Sequence, residues 1–427
     1  QLSDRIGMQA IKPLKALLKK NLTSPIAYVH ALWVLHRLNS LPAKLIISSA
    51  KNADPLIRLH TMRILLEQQT NEQNYQMVLH AVKDQDPHVA RAAIENLVKY
   101  PSIQSLEALL SARMEIPDYD SHLMYTARIC TKDLLLNTDL MKQVFAKDWK
   151  SQDAANIADV LVDVPSPESA MFLAQHFSKY PLPSNPLITF EQIAQFIPAN
   201  MIDAVVIQAR KKIVQPETEF VIFQGIQQGL ARRGEKETQE LRKWGIQLAE
   251  NILNKYQAGG QVKSQDQMAK QKFAFGIAAT YKVQTLAPKV KLFLQEGMNI
   301  DLDTRTEALR TLLKIDPEQH LGLAAKLFED PSSGLDFKIK VANLLGDLNV
   351  SSGLSINNVL MNVNRVLGET QNASPILQSA IATSLASSSE GKDIVLNKVR
   401  QGQFFSRVLI EPKVSERMLL NISSKQK

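Results

Sequence analysis

Three stretches near the start of the chain write one pattern three times. They read Ser24-Pro25-Ile-Ala-Tyr-Val-His-Ala-Leu-Trp-Val-Leu35, Asp54-Pro55-Leu-Ile-Arg-Leu-His-Thr-Met-Arg-Ile-Leu65 and Asp86-Pro87-His-Val-Ala-Arg-Ala-Ala-Ile-Glu-Asn-Leu97, with Pro-to-Pro steps of 30 and 32 residues. A unit of this length is too small to bury its own apolar face, so neighbouring units stack on one another. The period therefore commits this part of the chain to a solenoid.

The cap chemistry makes each unit helical. Ser or Asp at the cap accepts a hydrogen bond from an orphan backbone N–H, and the Pro that follows has no N–H to satisfy. Apolar residues then recur at helical spacing: Ile57, Leu59, Met62, Ile64 and Leu65 in the second unit, Val89, Ala93, Ile94, Leu97 and Val98 in the third. A second helix is expected in each unit, over Ala43 to Ala53, Asn74 to Lys83 and Ser102 to Ala112. Two antiparallel helices per unit is the HEAT-type arrangement. The expected fold is all-α, a right-handed α–α superhelix of HEAT/armadillo-like repeats, with Trp33 and Leu65 in its core. Val205-Val206-Ile207 and Phe220 to Phe223 look β-like locally, yet each sits inside a helical period.

The repeats are regular over 10–112 and irregular from there to 256. Ala10 to Lys20 reads as the second helix of a unit whose first is missing, so the chain is expected to be a piece of a longer protein; it starts at Gln1, with no Met and no leader pattern. Longer helices are expected over Asp118 to Leu136, Leu140 to Trp149 and Asp153 to Val162. Ser166-Pro167 restores the cap, residues 180–189 with three prolines form a loop, and Thr189-Phe-Glu-Gln192 reads as a capping box. Arg232-Arg233-Gly234 marks a helix stop. Residues 257–267, containing Ala-Gly-Gly, read as a linker or long loop, and 268–427 return to helical repeats. Caps are expected at Asp303, Asp330 and Ser374, and a last amphipathic helix over Arg407 to Leu420.

Composition narrows the chemistry. The net charge of +8 is spread out: residues 1–150 hold 19 Lys/Arg against 14 Asp/Glu, a surplus of 5. That describes a solvated face better than a nucleic-acid footprint. The single cysteine, Cys130, rules out an internal disulfide and any Cys-x-x-Cys motif. No run of about 18 apolar residues is present, so no membrane span is expected.

No catalytic motif is found. None of His30, His36, His60, His80, His88, His122, His176 and His320 has metal-ligand spacing. His30 and His60 share a slot in successive repeats, a coincidence that packing explains more simply than ligation. The pairs Asp84/Asp86 and Asp118/Asp120 fall at caps and turns. The basic clusters Lys12/Lys15/Lys19/Lys20, Arg210/Lys211/Lys212 and Arg232/Arg233/Lys236 with Arg242/Lys243 fit cations at helix C-termini. Trp33, Trp149 and Trp244 share no local context that would mark a DNA-repair site.

Ala-Ile-Lys-Pro-Leu-Lys-Ala-Leu-Leu from Ala10, Tyr-Val-His-Ala-Leu-Trp-Val-Leu-His-Arg-Leu from Tyr28 and Ile-Arg-Leu-His-Thr-Met-Arg-Ile-Leu-Leu from Ile57 go beyond generic repeats. They resemble the HEAT segment of large bacterial membrane-bound dehydrogenases of the propeller–HEAT–cytochrome c type. The ending Arg407-Val-Leu-Ile-Glu-Pro-Lys-Val-Ser-Glu-Arg-Met-Leu-Leu420 is similar to the stretch that precedes the cytochrome domain there. The resemblance covers about the first 110 and last 20 residues. It implies an exported, periplasmic setting (a cytoplasmic one is the alternative) and a spacer between an oxidising propeller and a Cys-x-x-Cys-His haem domain. It carries over no catalytic residue.

The expected function is a non-catalytic scaffold or protein-binding module with no cofactor of its own. The alternatives are a nucleic-acid-binding or DNA-repair HEAT protein and an enzyme using the concave groove. A partner is expected on the face of the second helices, at Lys44, Lys51, Gln76, Lys83 and Arg113. That mildly basic face suits a flanking domain, an acidic protein surface or a polyanionic glycan.

Overall fold

The computed structural model describes residues 5–18, 24–213, 216–257, 265–295, 300–351, 363, 365–368 and 373–420. Among them no strand occurs. The chain divides into two compact units, Gln1–Glu240 and Leu241–Lys427, and each is an α-solenoid of HEAT/armadillo-like kind.

In the first unit the helices are α1 (Ile11–Leu17), α2 (Pro25–Arg37), α3 (Ala43–Ala50), α4 (Pro55–Glu67), α5 (Glu72–Ala81), α6 (Pro87–Leu97), α7 (Ile103–Glu115) and α8 (Ser121–Leu135). They continue as α9 (Thr138–Ala146), α10 (Ser151–Leu161), α11 (Pro167–Lys179), α12 (Pro186–Phe196), α13 (Ile202–Lys212) and α14 (Pro216–Arg232). The expected caps form. Asp54 Oδ1 accepts from Leu56 N–H at 2.9 Å, and Asp86 Oδ1 accepts from His88 and Val89 N–H at 2.9 and 3.2 Å. The first helices α2, α4, α6 and α8 pack in succession, and α3, α5 and α7 each pack on the first helix that follows. Leu32, Leu35, Met62, Ile64, Leu65, Ile94 and Leu97 are buried at the seams.

Trp33 departs from expectation. It lies half-buried at the edge of the core, because its indole N–H reaches out of the stack to His60. Several boundaries also move. Helix α3 stops at Ala50, since Asn52 Oδ1 takes the Asp54 N–H and turns the chain early. Helix α8 begins at Ser121, where Asp120 is the true cap. Thr189 lies inside α12, which Asn185 caps, and its hydroxyl donates to Asn185 O at 2.9 Å. Gly234 does end α14: at φ +73° it takes the left-handed conformation, and Glu235 N–H closes back on Leu230 O at 3.0 Å.

The second unit holds all but the first two residues of α15 (Gln239–Gln257), then α16 (Gln265–Thr280), α17 (Ala287–Lys291), α18 (Leu302–Ile315), α19 (Pro317–Glu329), α20 (Leu335–Ser351), α21 (Pro375–Leu385), α22 (Ser389–Arg400) and α23 (Pro412–Leu419). Stacking recurs here, α16 on α18, α18 on α20 and α20 on α21. Asp301, two residues before the expected cap, starts α18 by accepting from Thr304 N–H. Asp330 instead closes α19 and turns its carboxylate to Ser332 N–H, so the next helix waits until Leu335. Ser374 caps α21 as expected. Most of the expected linker, residues 258–264, lies outside the described residues.

Candidate functional site

Side chains that differ from repeat to repeat tie neighbouring first helices together. Arg58 on α4 donates from Nε and Nη2 to both oxygens of Asp84 at 2.7 and 2.8 Å, and from Nη1 to Asn52 O at 2.8 Å. Burial alone would raise the Asp84 carboxyl, but hydrogen bonds from Arg58 and Asp86 N–H hold it below the usual carboxylate range. Buried Asn96 on α6 donates to Met62 O at 2.7 Å, and in the second unit Ser384 donates to Ala342 O at 2.7 Å. Trp33 Nε1 donates to His60 Nδ1 at 3.0 Å, so that ring nitrogen is spent on packing while His30 stands exposed. The repeated histidine slot is therefore structural. Asp84, Asp86 and Asp120 are occupied with caps and turns, as the sequence suggested.

The five residues expected on the second-helix face meet different fates. Lys44 on α3 and Lys51 just after it are exposed, and no carboxylate pairs with either among the described residues. Gln76 is exposed on α5 and donates to Glu72 at 2.7 Å. Lys83 is exposed but pairs with Glu115 at 3.0 Å and also donates to Ser111. Arg113 is a correction: it is not an exposed contact. Its guanidinium, 14 % exposed, pairs with Asp159 at 2.6 Å and donates to Asn156 O. Lys44 and Lys51 are thus the cations of the set without a carboxylate partner among the described residues.

Most other basic clusters are likewise engaged. Arg232 pairs with Glu191, Arg233 donates to Ala194 O and Ile197 O, Lys212 donates to Tyr180 O, and Arg242 lies over the Tyr281 ring. Cys130 is buried on α8, and burial pushes its thiol up to about 12, far from a reactive thiolate. No group of three or more His, Cys, Asp or Glu suited to a metal ion occurs among the described residues.

Sequence reasoning missed a pair of clefts in the irregular part of the first unit. Residues 180–185, within the stretch 180–189 read as a proline-rich loop, line the larger one, and Phe177 and Leu182 line both. The larger, about 530 Å³, is bounded by α10, the end of α11 and the start of α12. The smaller, about 310 Å³, is mostly apolar, with Phe145, Met171, Phe190 and Val205 in its walls. His176 lines the larger cleft. Its ring lies parallel to Phe172 at 6.4 Å, edge-on to Phe177 at 5.0 Å and tilted against Tyr180 at 4.7 Å. The residue is 8 % exposed, and its buried Nδ1 has no hydrogen-bond partner. Burial lowers its pKa, so the imidazole is neutral at pH 7. Asp159 and Asp163 also line this cleft. Asp159 is held by Arg113 and Arg128, whereas Asp163 is exposed with no side-chain partner among the described residues. The one local signal was three prolines beside an aromatic–His cluster, and it did not say that α10 would face them.

No protein-family model matches the chain, and no curated protein matches it. Solved structures give distant likenesses. A homology model of the full-length AP-3 complex in an intermediate open conformation superposes with a TM-score of 0.37 at 13% identity, over 98% of this chain and 75% of that one. The karyopherin Kap121p, bound to the extreme C-terminus of the protein phosphatase Cdc14p, gives 0.31 at 15% identity, over 95% of this chain and 40% of that one. UNC-45 from Drosophila melanogaster gives 0.26 at 12% identity, over 96% and 67%.

Proposed function

We propose that this chain is a non-catalytic helical-repeat scaffold whose second-helix face near the N-terminus binds an acidic protein surface. The observation that carries the reading is the contrast among its cations. Arg58, Lys83, Arg113, Arg232 and Arg233 are engaged by contacts within the fold, while Lys44 and Lys51 stand exposed and unpaired among the described residues, on one second helix and its end. Exposed cations of this kind each contribute about 0–1 kcal/mol to a contact, so the reading is of summed weak contacts. The same engagement of the basic clusters weighs against a nucleic-acid interface, which needs cations free for phosphates.

The finer reading, which rests on the sequence resemblance, is a spacer between a sugar-dehydrogenase-like propeller and a cytochrome c domain in an exported bacterial redox protein. Catalysis and haem would then belong to those domains and not to this chain.

The test is capture of partners by the full chain and by the Lys44→Glu/Lys51→Glu variant. Reversing Lys83 as well would set a carboxylate beside Glu115 and confuse the result. The double variant is expected to lose the partner with its melting temperature unchanged. Retention of the partner by that variant overturns the docking face, and capture by a heparin column that the variant no longer binds redirects it to a glycan. The genomic reading frame around the chain tests the spacer: neither a propeller upstream nor Cys-x-x-Cys-His downstream would overturn it.

A further inference from the structure

The larger cleft differs in sign from the rest of this net-basic chain. No lysine or arginine is among its lining residues, and Asp163 offers it a carboxylate with no side-chain partner. Arg113 and Arg128, which border it through Asp159, point their charge into that carboxylate. Phe177 and Tyr180 line it with aromatic rings, and His176 adds an imidazole whose buried Nδ1 has no hydrogen-bond partner among the described residues. Pro181 and Pro183, with backbone φ set by their rings, form a wall that needs little ordering on binding.

From this geometry we infer that the cleft receives an arginine or lysine side chain from a basic segment of a partner protein. Each part of the lining suits that ligand. A guanidinium or ammonium is attracted to aromatic faces and forms strong, charge-assisted hydrogen bonds to a carboxylate. A neutral imidazole in the lining does not repel such a group, which a charged one would do. An anionic ligand would meet Asp163, while the cations that border the lining, Arg113, Arg128 and Lys212, are already engaged by Asp159 and Tyr180 O. A wholly apolar one would desolvate Asp163 and His176 without giving them a partner. The volume, about 530 Å³, falls in the range of about 300–1,000 Å³ typical of sites for ligands of several residues or drug size. It exceeds what one side chain fills. Ile188, exposed on its rim, offers an apolar contact to the residue next to the cation, which a free amine would leave unused. The occupant is therefore a peptide segment, and this site is separate from the Lys44/Lys51 face.

The experiment titrates the full 427-residue chain with a short, capped, fluorescein-labelled peptide carrying arginine between two leucines. Counterparts carry glutamine or glutamate in place of the arginine, and acetyl-arginine amide is a further probe. The arginine peptide is expected to bind at least about 10-fold more tightly than either counterpart and than the capped amino acid. Asp163→Asn, at an exposed side chain without a partner, should weaken it about 5- to 10-fold with the melting temperature unchanged. Lys44→Glu/Lys51→Glu should bind the peptide like the unaltered chain, so failure of the docking face and failure of this cleft are told apart. Equal binding of the arginine and glutamate peptides, no binding at millimolar peptide, or unchanged affinity in Asp163→Asn would each overturn the inference. A match between acetyl-arginine amide and the peptide would overturn the assignment to a protein segment.

Discussion

Arg58 and Asp84 form a two-pronged ion pair between successive repeats, at 2.7 and 2.8 Å, with 18 % and 12 % of their side chains exposed. The pair lies between the surface limit, about 0–1 kcal/mol, and the buried one, where removing a partner costs about 3–5 kcal/mol. Asp84→Asn should therefore cost about 1–3 kcal/mol at neutral pH. The folded carboxyl titrates below its unfolded value of about 3.9. Its contribution is thus present above that pH and lost as the pH falls through the folded value. Denaturation of both proteins from pH 7 down should show the gap closing below about pH 4. A gap that persists in acid would mean that the carboxylate charge is not what Arg58 recognises.

Leu65 is 0 % exposed, at the seam between stacked helices. Leu65→Ala should destabilise this region by about 2–5 kcal/mol. Trp33→Phe removes the hydrogen bond to His60 but keeps an aromatic ring at the core edge, and should cost only about 0.5–1.5 kcal/mol. Native-state hydrogen exchange in α2 and α4 would rank the two. A larger effect from Trp33 would place the centre of the core at the wrong residue.

Gly225 and Gly229 let α14 lie directly on α12. A Cβ at Gly225 would sit 2.5 Å from Leu187 O, and one at Gly229 would sit 2.8 Å from Ala194 Cβ and run into Glu191 O. Exchanging a helical Gly for Ala ordinarily gains up to about 1 kcal/mol, whereas overpacking costs about 1–3 kcal/mol. Gly229→Ala should therefore lower the melting temperature. Gly322→Ala in α19, where a Cβ would meet nothing within 4 Å, should hold or raise it. If the two variants melt alike, the close approach of α12 and α14 is wrong.

His320 is 8 % exposed and its buried Nε2 has no partner. Burial lowers its pKa, with Lys291 acting in the same direction and Asp316 against it. The unfolded chain takes up the proton more readily, so this histidine's neutral form supports the fold above about pH 6.5 and that support is lost as the pH falls. Stability measured from pH 7.5 to 5 should decline less steeply in His320→Leu, by at most about 1.4 kcal/mol per pH unit. Parallel slopes would show that His320 does not titrate differently on unfolding.

The helical repeat was legible because its causes are local. A cap at Asp54 or Asp86 acts on N–H groups two or three residues away, and a stripe such as Ile57 to Leu65 depends only on the 3.6-residue turn. Cap position slipped wherever two candidates stood close together, as at Asp301 and Asp303 or Asn185 and Thr189, since packing chooses between them. The fate of the charged residues was not legible. Whether Arg113 faces a partner or Asp159 is settled 46 residues along the chain, and Lys83 meets Glu115 32 residues on. Nor did the prolines around Leu182 announce a cleft, because its other wall is α10 and its polar centre, His176, gains meaning only from the rings packed around it. That Gly225 and Gly229 are needed for α12 to lie on α14 was likewise not legible, because the contact joins residues more than 30 positions apart. Local hydrogen bonds and periodic burial made the helices, and long-range packing decided which side chains remain available to a partner.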